Sequence, residues 1–298
     1  MMRRKFIKLT AACVLTAIVL YAGGLQPQSA AAIANRATAY EPVQQQAQRW
    51  VDELAASPSF AAWKKSSLVV SPIGPGTHSW LVLVKQNQDT VGYLVVNALE
   101  KGGYQLGEYG TSTHPLFDEQ ILSRSMKQLE LIKPASKTEA LYVHPLLAAW
   151  KVTADKDTYY TDAASGEVLP VQSSDWAAAS AMKLKNTGQM LAADKATILK
   201  QVTLPSFNAF AKLPWLTKQP MPLSSSSYSD LFAHLNNKEQ LRYTAELFDG
   251  QMLYVWSVVG YNKWSTGPIY VALEADENGS DRRYIPLTLL IELGHFYR

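Results

Sequence analysis

Apolar positions along the chain switch repeatedly between a helical and an alternating period. Over 41–56, Val43, Ala47, Trp50, Val51 and Leu54 recur at helical spacing, which predicts a one-sided helix with Pro42 in its first turn and Pro58 closing it. A short helical turn is expected over 60–65. Alternation follows at 68–70, 80–84, 91–97 and 104–109, broken by Gly74-Pro75-Gly76, by 87–89 and by Lys101-Gly102-Gly103. Turns this short join only antiparallel strands. Helical spacing returns over 117–131 through Phe117, Ile121, Leu122, Met126 and Leu129, ending before Pro134. A short strand at 141–143 and a second meander at 149–153, 158–162 and 167–171 come next. Helix then strands, twice over, predicts an α+β protein of helix-plus-antiparallel-meander units.

Beyond 172 the pattern loosens. Ser174 is placed to cap an Ala-rich helix over 175–185, and 192–202 reads as another helix. Residues 204–227 carry Pro205, Pro214, Pro220 and Pro222 and a run of four serines, which predicts an irregular connection. Phe207, Phe210, Leu213, Trp215 and Leu216 are too apolar for a free linker and are expected to pack on something. A last unit combines a short helix at 231–235, a hairpin of 241–247 and 252–259 about Asp249-Gly250, and a loop over 260–268. Strands at 269–274 and 282–285 and a helix at 287–293 capped by Gly294 complete it. The expected organisation is two modules: two helix-meander units over 36–172 and an antiparallel α+β unit over 229–298, with a helical and Pro/Ser-rich connection over 173–228.

The N-terminus reads differently. Arg3, Arg4, Lys5 and Lys8 precede an uncharged apolar run over 9–20, and small residues end in A-x-A sites at Ala32 or Ala34. This order is that of a secretory signal peptide over 1–34. Retained, the same segment would be a single-pass anchor, and either outcome places the body outside the cytoplasm. Removing those four cations leaves 24 basic against 25 acidic residues, so the body carries no electrostatic footprint for nucleic acid. The single cysteine, Cys13, lies in the apolar run, which leaves the body without a thiol nucleophile, a disulfide or a cysteine metal site. A cysteine-free exported body suits a Gram-positive exterior, secreted or held to the outer face of the cytoplasmic membrane. Membrane contact is expected through the N-terminal segment only.

Local motifs for catalysis are missing. His78, His114, His144, His234 and His295 show no zinc-ligand spacing, and there is no Gly-x-Ser-x-Gly, P-loop or Gly-x-Gly-x-x-Gly. The run 274–281 places Gly279 where a calcium loop needs it, but Ile285 falls at the bidentate position and Arg282 and Arg283 would repel a cation, so an acidic hairpin turn is expected. No metal or cofactor is expected. The chain is rich in Trp and Tyr, and Trp264, with Tyr261 and Asn262, is expected to form an exposed contact surface for a protein or peptide.

Trp150-Lys151-Val152, Tyr159-Tyr160-Thr161-Asp162 and Ser165-Gly166-Glu167-Val168-Leu169 share one cadence. Together, over 150–169, they resemble the hairpin of PepSY-type secreted modules, in which Asp162 and Ser165 would bond turn amides and Gly166 would take a positive φ. The resemblance implies an exported, non-catalytic module that binds or restrains a peptidase. The unit over 41–109 looks like the propeptide half of some secreted peptidases, and the two helix-meander units over 36–172 together look PepSY- or cystatin-like. Val258-Val259-Gly260-Tyr261 resembles a strand of papain-like C39 peptidases, but that family's histidine and cysteine are missing, which excludes its chemistry. The leading expectation is an exported non-catalytic protein of the cell envelope or exterior that binds a protein or peptide partner. The alternative is an extracellular hydrolase whose carboxylate or serine site leaves no local motif.

Overall fold

The computed structural model describes residues 30–74, 76–131, 137–182, 190–192, 195–224, 226–279 and 281–298, with 30–39 as backbone alone. Residues 1–29 of the expected signal segment over 1–34, Pro134 and the expected helix end at 183–185 lie outside the described residues. Helix α1 (Ala30–Ala55) buries Val43, Ala47, Trp50, Val51 and Leu54 along one stripe. It begins earlier than the periodicity suggests because the Ala-rich stretch before Tyr40 favours helix, so Pro42 lies within it. A 3-10 turn, Pro58–Trp63, drops Phe60 and Trp63 into the same core. An antiparallel meander follows: β1 (Ser67–Ile73), β2 (Ser79–Gln86), β3 (Asp89–Ala98) and β4 (Tyr104–Ser112). Leu68, Val82, Val84, Leu94, Val96 and Leu106 face α1, whereas Ile73, Leu81, Tyr93 and Val95 face away, as strand alternation requires.

That second face is covered by a smaller antiparallel sheet. Helix α2 (Glu119–Gln128) is capped by Asp118, whose carboxylate accepts the Gln120 N–H at 2.7 Å. Strands β5 (Lys137–His144), β6 (Leu147–Ala154), β7 (Asp157–Asp162) and β8 (Val168–Leu169) then pair in chain order. In the β7–β8 turn, Asp162 Oδ1 accepts the N–H groups of Ala164 and Ser165 at 2.9 and 2.7 Å, and Gly166 has φ +76°. A Cβ on Gly166 would stand 2.6 Å from both Ile121 Cγ2 and Ser125 Oγ, so this turn is also where α2 packs.

Helix α3 (Ser173–Ser180) starts one residue before the expected cap, and Asp175 Oδ2 accepts the Gln172 N–H at 2.8 Å. The helix expected at 192–202 is instead strand β9 (Ile198–Thr203), because its alternating Ile198, Lys200 and Val202 pair with a later strand. Short helices α4 (Pro214–Thr217) and α5 (Ser229–Asn236) precede β10 (Leu241–Leu247), β11 (Met252–Trp264), β12 (Ile269–Glu274), β13 (Asp281–Pro286), α6 (Leu287–Leu293) and β14 (His295–Tyr297). The loop expected from Gly260 is strand as far as Trp264. β11 pairs with β10 through its first half and with β9 through its second, and its register with β12 shifts between Val258 and Gly260. Gly260 sits at that shift with φ +143°, and a Cβ there would overlap the Val202 carbonyl of β9.

β4 pairs with β13, so the first meander and the C-terminal strands share one ten-stranded sheet ordered β1-β2-β3-β4-β13-β12-β11-β10-β14, with β9 on β11. Tyr40–Arg298 is one compact unit. The architecture is α+β with antiparallel sheets, built on a much larger sheet than separate meanders would give. Among the described residues no helix is long and apolar enough to cross a membrane.

A buried ion pair fastens the two sheets together. Glu108 of β4 is fully buried, and its Oε2 accepts from Arg283 Nε at 3.1 Å, from Arg283 Nη2 at 2.7 Å and from the Tyr93 hydroxyl at 3.2 Å. Its Oε1 accepts the Tyr142 hydroxyl of β5 at 3.2 Å, while Arg283 Nη2 also donates to the Pro145 carbonyl at 2.6 Å. Tyr254 of β11 adds a bond to Asp162 Oδ2 at 3.1 Å. Burial pushes the Glu108 carboxyl up, with Arg283 and both phenols pulling against it. Burial also works against the Arg283 guanidinium, but Glu108 and Tyr93 hold it well above its ordinary value. Removing one partner strands the other charge in a dry site. Glu108→Gln should therefore destabilise the fold by about 3–5 kcal/mol, whereas the double change Glu108→Met with Arg283→Met recovers most of that loss. Urea unfolding of the three proteins checks this, and a single variant as stable as the double would contradict it.

Candidate functional site

Where the small sheet meets the open ends of β2, β3 and β4, the structure leaves a cleft of about 630 Å³. The strand ends give a polar side of Thr77, Ser79, Asn97 and Gln105. β5 and α3, with Met190, give a largely apolar side of Leu141, Val143, Trp176 and Ala177, and Ser180 lies on the same helix. Ser79 Oγ donates to Asn97 Oδ1 at 2.7 Å, which fixes the amide and leaves its NH₂ over Gly107. Trp176 is held by stacking on Tyr160, centroids 5.5 Å apart at 12°, and by Phe248 behind it. Ser180 Oγ donates back to the Trp176 carbonyl at 2.7 Å.

His144 also lines the cleft. Its Nδ1 accepts the Leu146 N–H at 3.2 Å, which assigns the proton to Nε2, and burial pushes the ring down to about 4. It is therefore a neutral donor at physiological pH. Among the described residues, no carboxylate, lysine or arginine lines the cleft. Amides, hydroxyls, one neutral imidazole and an indole face can hold an uncharged polar chain with apolar side groups, but they offer no counter-charge for an anionic or cationic ligand. Among the described residues no histidine ring is hydrogen-bonded to a serine or threonine hydroxyl; the His114 and His234 rings instead pair with Asp118 and Glu239. A wider groove of about 860 Å³ runs beside β1 to the start of α2, and its polar lining includes Lys85 and the exposed Asp89 and Glu119.

Trp264, Tyr261 and Asn262 do not form the contact surface expected of them. Trp264 and Asn262 are 0% exposed and Tyr261 is 2% exposed, because β11 continues through them into the sheet. Trp264 packs in the α1-facing core, Asn262 Nδ2 donates to the Tyr109 hydroxyl at 2.8 Å, and the Tyr261 hydroxyl donates to Asn236 at 3.1 Å. The apolar residues expected to pack within 204–227 divide: Phe207 lies under Arg242, while Phe210, Leu213 and Leu216 are exposed. His144, Asn97, Gln105 and Trp176 are the residues that sequence reasoning missed as a group. His144-Pro145 reads as a turn, and nothing local links four positions on four elements.

The 274–281 hairpin forms a turn in which Asp276 Oδ1 accepts the Asn278 and Gly279 N–H groups at 2.9 and 3.1 Å. Buried Glu274 pairs with Arg282 Nε at 2.6 Å, so the arginine that argued against calcium holds the first carboxylate of the run. Burial, with Asp276 nearby, pushes the Asp281 carboxyl up to about 6.

No protein family, curated protein or solved structure matches the chain.

The two shifted groups give opposite pH dependences. His144 binds a proton near 6.5 when unfolded and near 4 when folded, so it withdraws stability as pH falls through that window, by up to about 3 kcal/mol. His144→Asn keeps an acceptor for Leu146 and should flatten the fall in stability between pH 7 and 4, read by denaturant titration at each pH; an unchanged slope would contradict it. Asp281 keeps its proton longer when folded, so it withdraws stability as pH rises from about 4 to 6. Asp281→Asn should raise stability at pH 7.5 by about 2 kcal/mol, a gain that disappears below pH 4. Thermal unfolding at both pH values checks this.

Proposed function

We propose that the chain is an exported, non-catalytic protein of the cell envelope or exterior whose cleft receives a short stretch of a partner polypeptide. The observation that carries this reading is the two-sided lining of the cleft, which is uncharged among the described residues. Asn97, Gln105, Ser79 and His144 Nε2 supply the donors and acceptors that read a peptide backbone, and Trp176 with Leu141 and Met190 supplies a surface for one apolar side chain. The export pattern over 1–34 supports a body outside the cytoplasm, where such partners would be secreted or surface-bound proteins. The PepSY-like wording of 150–169 favours a peptidase as that partner, restrained by occupation rather than cleaved by chemistry. The Asp162–Ser165–Gly166 turn behind that wording packs on α2 and orders the small sheet that forms one side of the cleft.

Ser180→Trp should fill the cleft from its rim while leaving the core untouched. Peptides selected from a random display library on the wild-type chain should bind this variant at least about tenfold more weakly, with the melting temperature unchanged. Failure to enrich any peptide, or equal binding to both proteins, would contradict the reading. Peptides that bind and also slow an envelope peptidase would support its sharper form.

A further inference from the structure

Eight large apolar side chains are exposed among the described residues, and three of them, Phe210 (57%), Leu213 (40%) and Leu216 (70%), fall within seven positions. Trp215 stands edge-on to Phe210, centroids 6.1 Å apart at 80°. The loop that carries them is fastened at its base. Arg242 Nε donates to the Ala209 carbonyl at 3.2 Å, and its guanidinium covers the Phe207 ring at 4.8 Å. Lys218 Nζ donates to the Arg298 carbonyl at 2.6 Å, and the Met221 N–H to the Phe296 carbonyl at 2.8 Å. At the tip, Lys212 and Leu213 are both left-handed, with φ +67° and +37°, a conformation that non-glycine residues hold only under constraint. The apolar tip is thus held outward by a fixed frame.

Along this stretch of the chain the charge has one sign. Between 204 and 229 there is no Asp or Glu, while Lys212 and Lys218 bracket the tip. From 209 to 216 the only side chains with a charge or a hydrogen-bonding group are Lys212 and Trp215. A protein interface surrounds its apolar centre with a rim of directional polar contacts. Beside this tip, Asn208 Oδ1 is already taken by the Phe210 N–H at 2.9 Å, and Thr217 alone adds another neutral hydrogen-bonding side chain within 208–218 besides Trp215. A bilayer surface asks for no such partners. It takes aliphatic and phenyl groups into the acyl boundary, indole at the headgroup level and lysines against lipid phosphates.

We propose that the loop over 208–218 seats on an anionic lipid bilayer, with Phe210, Leu213 and Leu216 inserted and Lys212 on the headgroups. This gives the body a membrane contact of its own beyond the N-terminal segment, and it does not rest on the cleft.

The test uses the full chain with Cys13→Ser and one introduced cysteine, Leu216→Cys or, as control, Gln88→Cys in the exposed β2–β3 turn, each carrying an environment-sensitive nitrobenzoxadiazole label. Vesicles are phosphatidylcholine alone or with added phosphatidylglycerol, and flotation verifies that the chain is on them. The label at 216 should brighten about threefold or more and shift to the blue with the anionic vesicles, while that at 88 stays unchanged. Lys212→Glu, which leaves the contacts at the base of the loop in place, should reduce the response at 216 to that seen with phosphatidylcholine alone. Ser180→Trp should leave it intact, which separates failure of this proposal from failure of the cleft reading. A label at 216 that stays in water on floated vesicles, that responds equally at 88, or that is buried only by a peptide or protein would overturn the proposal.

Discussion

One carboxylate without water around it organises the molecule. Glu108 reaches a guanidinium 175 residues later in the chain, and the same pair gathers phenols from two sheets and the Pro145 carbonyl. A buried ion pair of this kind adds little net stability over an apolar substitute, but any arrangement that separates its members is expensive. It therefore acts as a selector of registry: β4 must lie beside β13, and β5 must dock where Tyr142 can reach Glu108. His144 sits between Tyr142 and Pro145, two residues that this network holds. The position of the cleft is thus a consequence of the tie.

The two surfaces that follow have different physics. Among the described residues the cleft is uncharged and two-sided, and its imidazole is kept neutral by burial, which suits an uncharged backbone with apolar side groups. The loop over 208–218 is apolar, basic at its edges and clamped below by Arg242. Held together by one compact unit, they would let the body meet a partner polypeptide close to a bilayer.

Much of this fold was legible in the sequence because the alternation at 80–84, 91–97, 241–247 and 269–274 and the helical stripe of α1 are local facts. The Asp162–Ser165–Gly166 turn was legible for the same reason, since its bonds span only a few residues. What escaped was non-local. The 192–202 segment has helix-forming Ala and Lys near its start, yet its second half becomes β9 because β11 offers an open edge opposite Gly260. Trp264 looked like a loop residue, but β9 and β12 pair with Asn262 and Lys263 before it, so the strand runs through Trp264 and the turn begins only at Ser265. The cleft itself had no signature, since its polar members sit on separate strand ends and a helix and are individually ordinary. Leu213 and Leu216 were expected to be covered, and the structure instead holds them in water.

The central claim is that a polypeptide occupies the cleft between the two sheets. Photo-crosslinking in growing cells tests it most directly, with benzoylphenylalanine placed at Gln105 inside the cleft and at Gln88 outside it. The account predicts a crosslink from position 105 that mass spectrometry maps to a segment of another polypeptide, and none from position 88. An unmodified chain at 105, or the same crosslink from both positions, would contradict it.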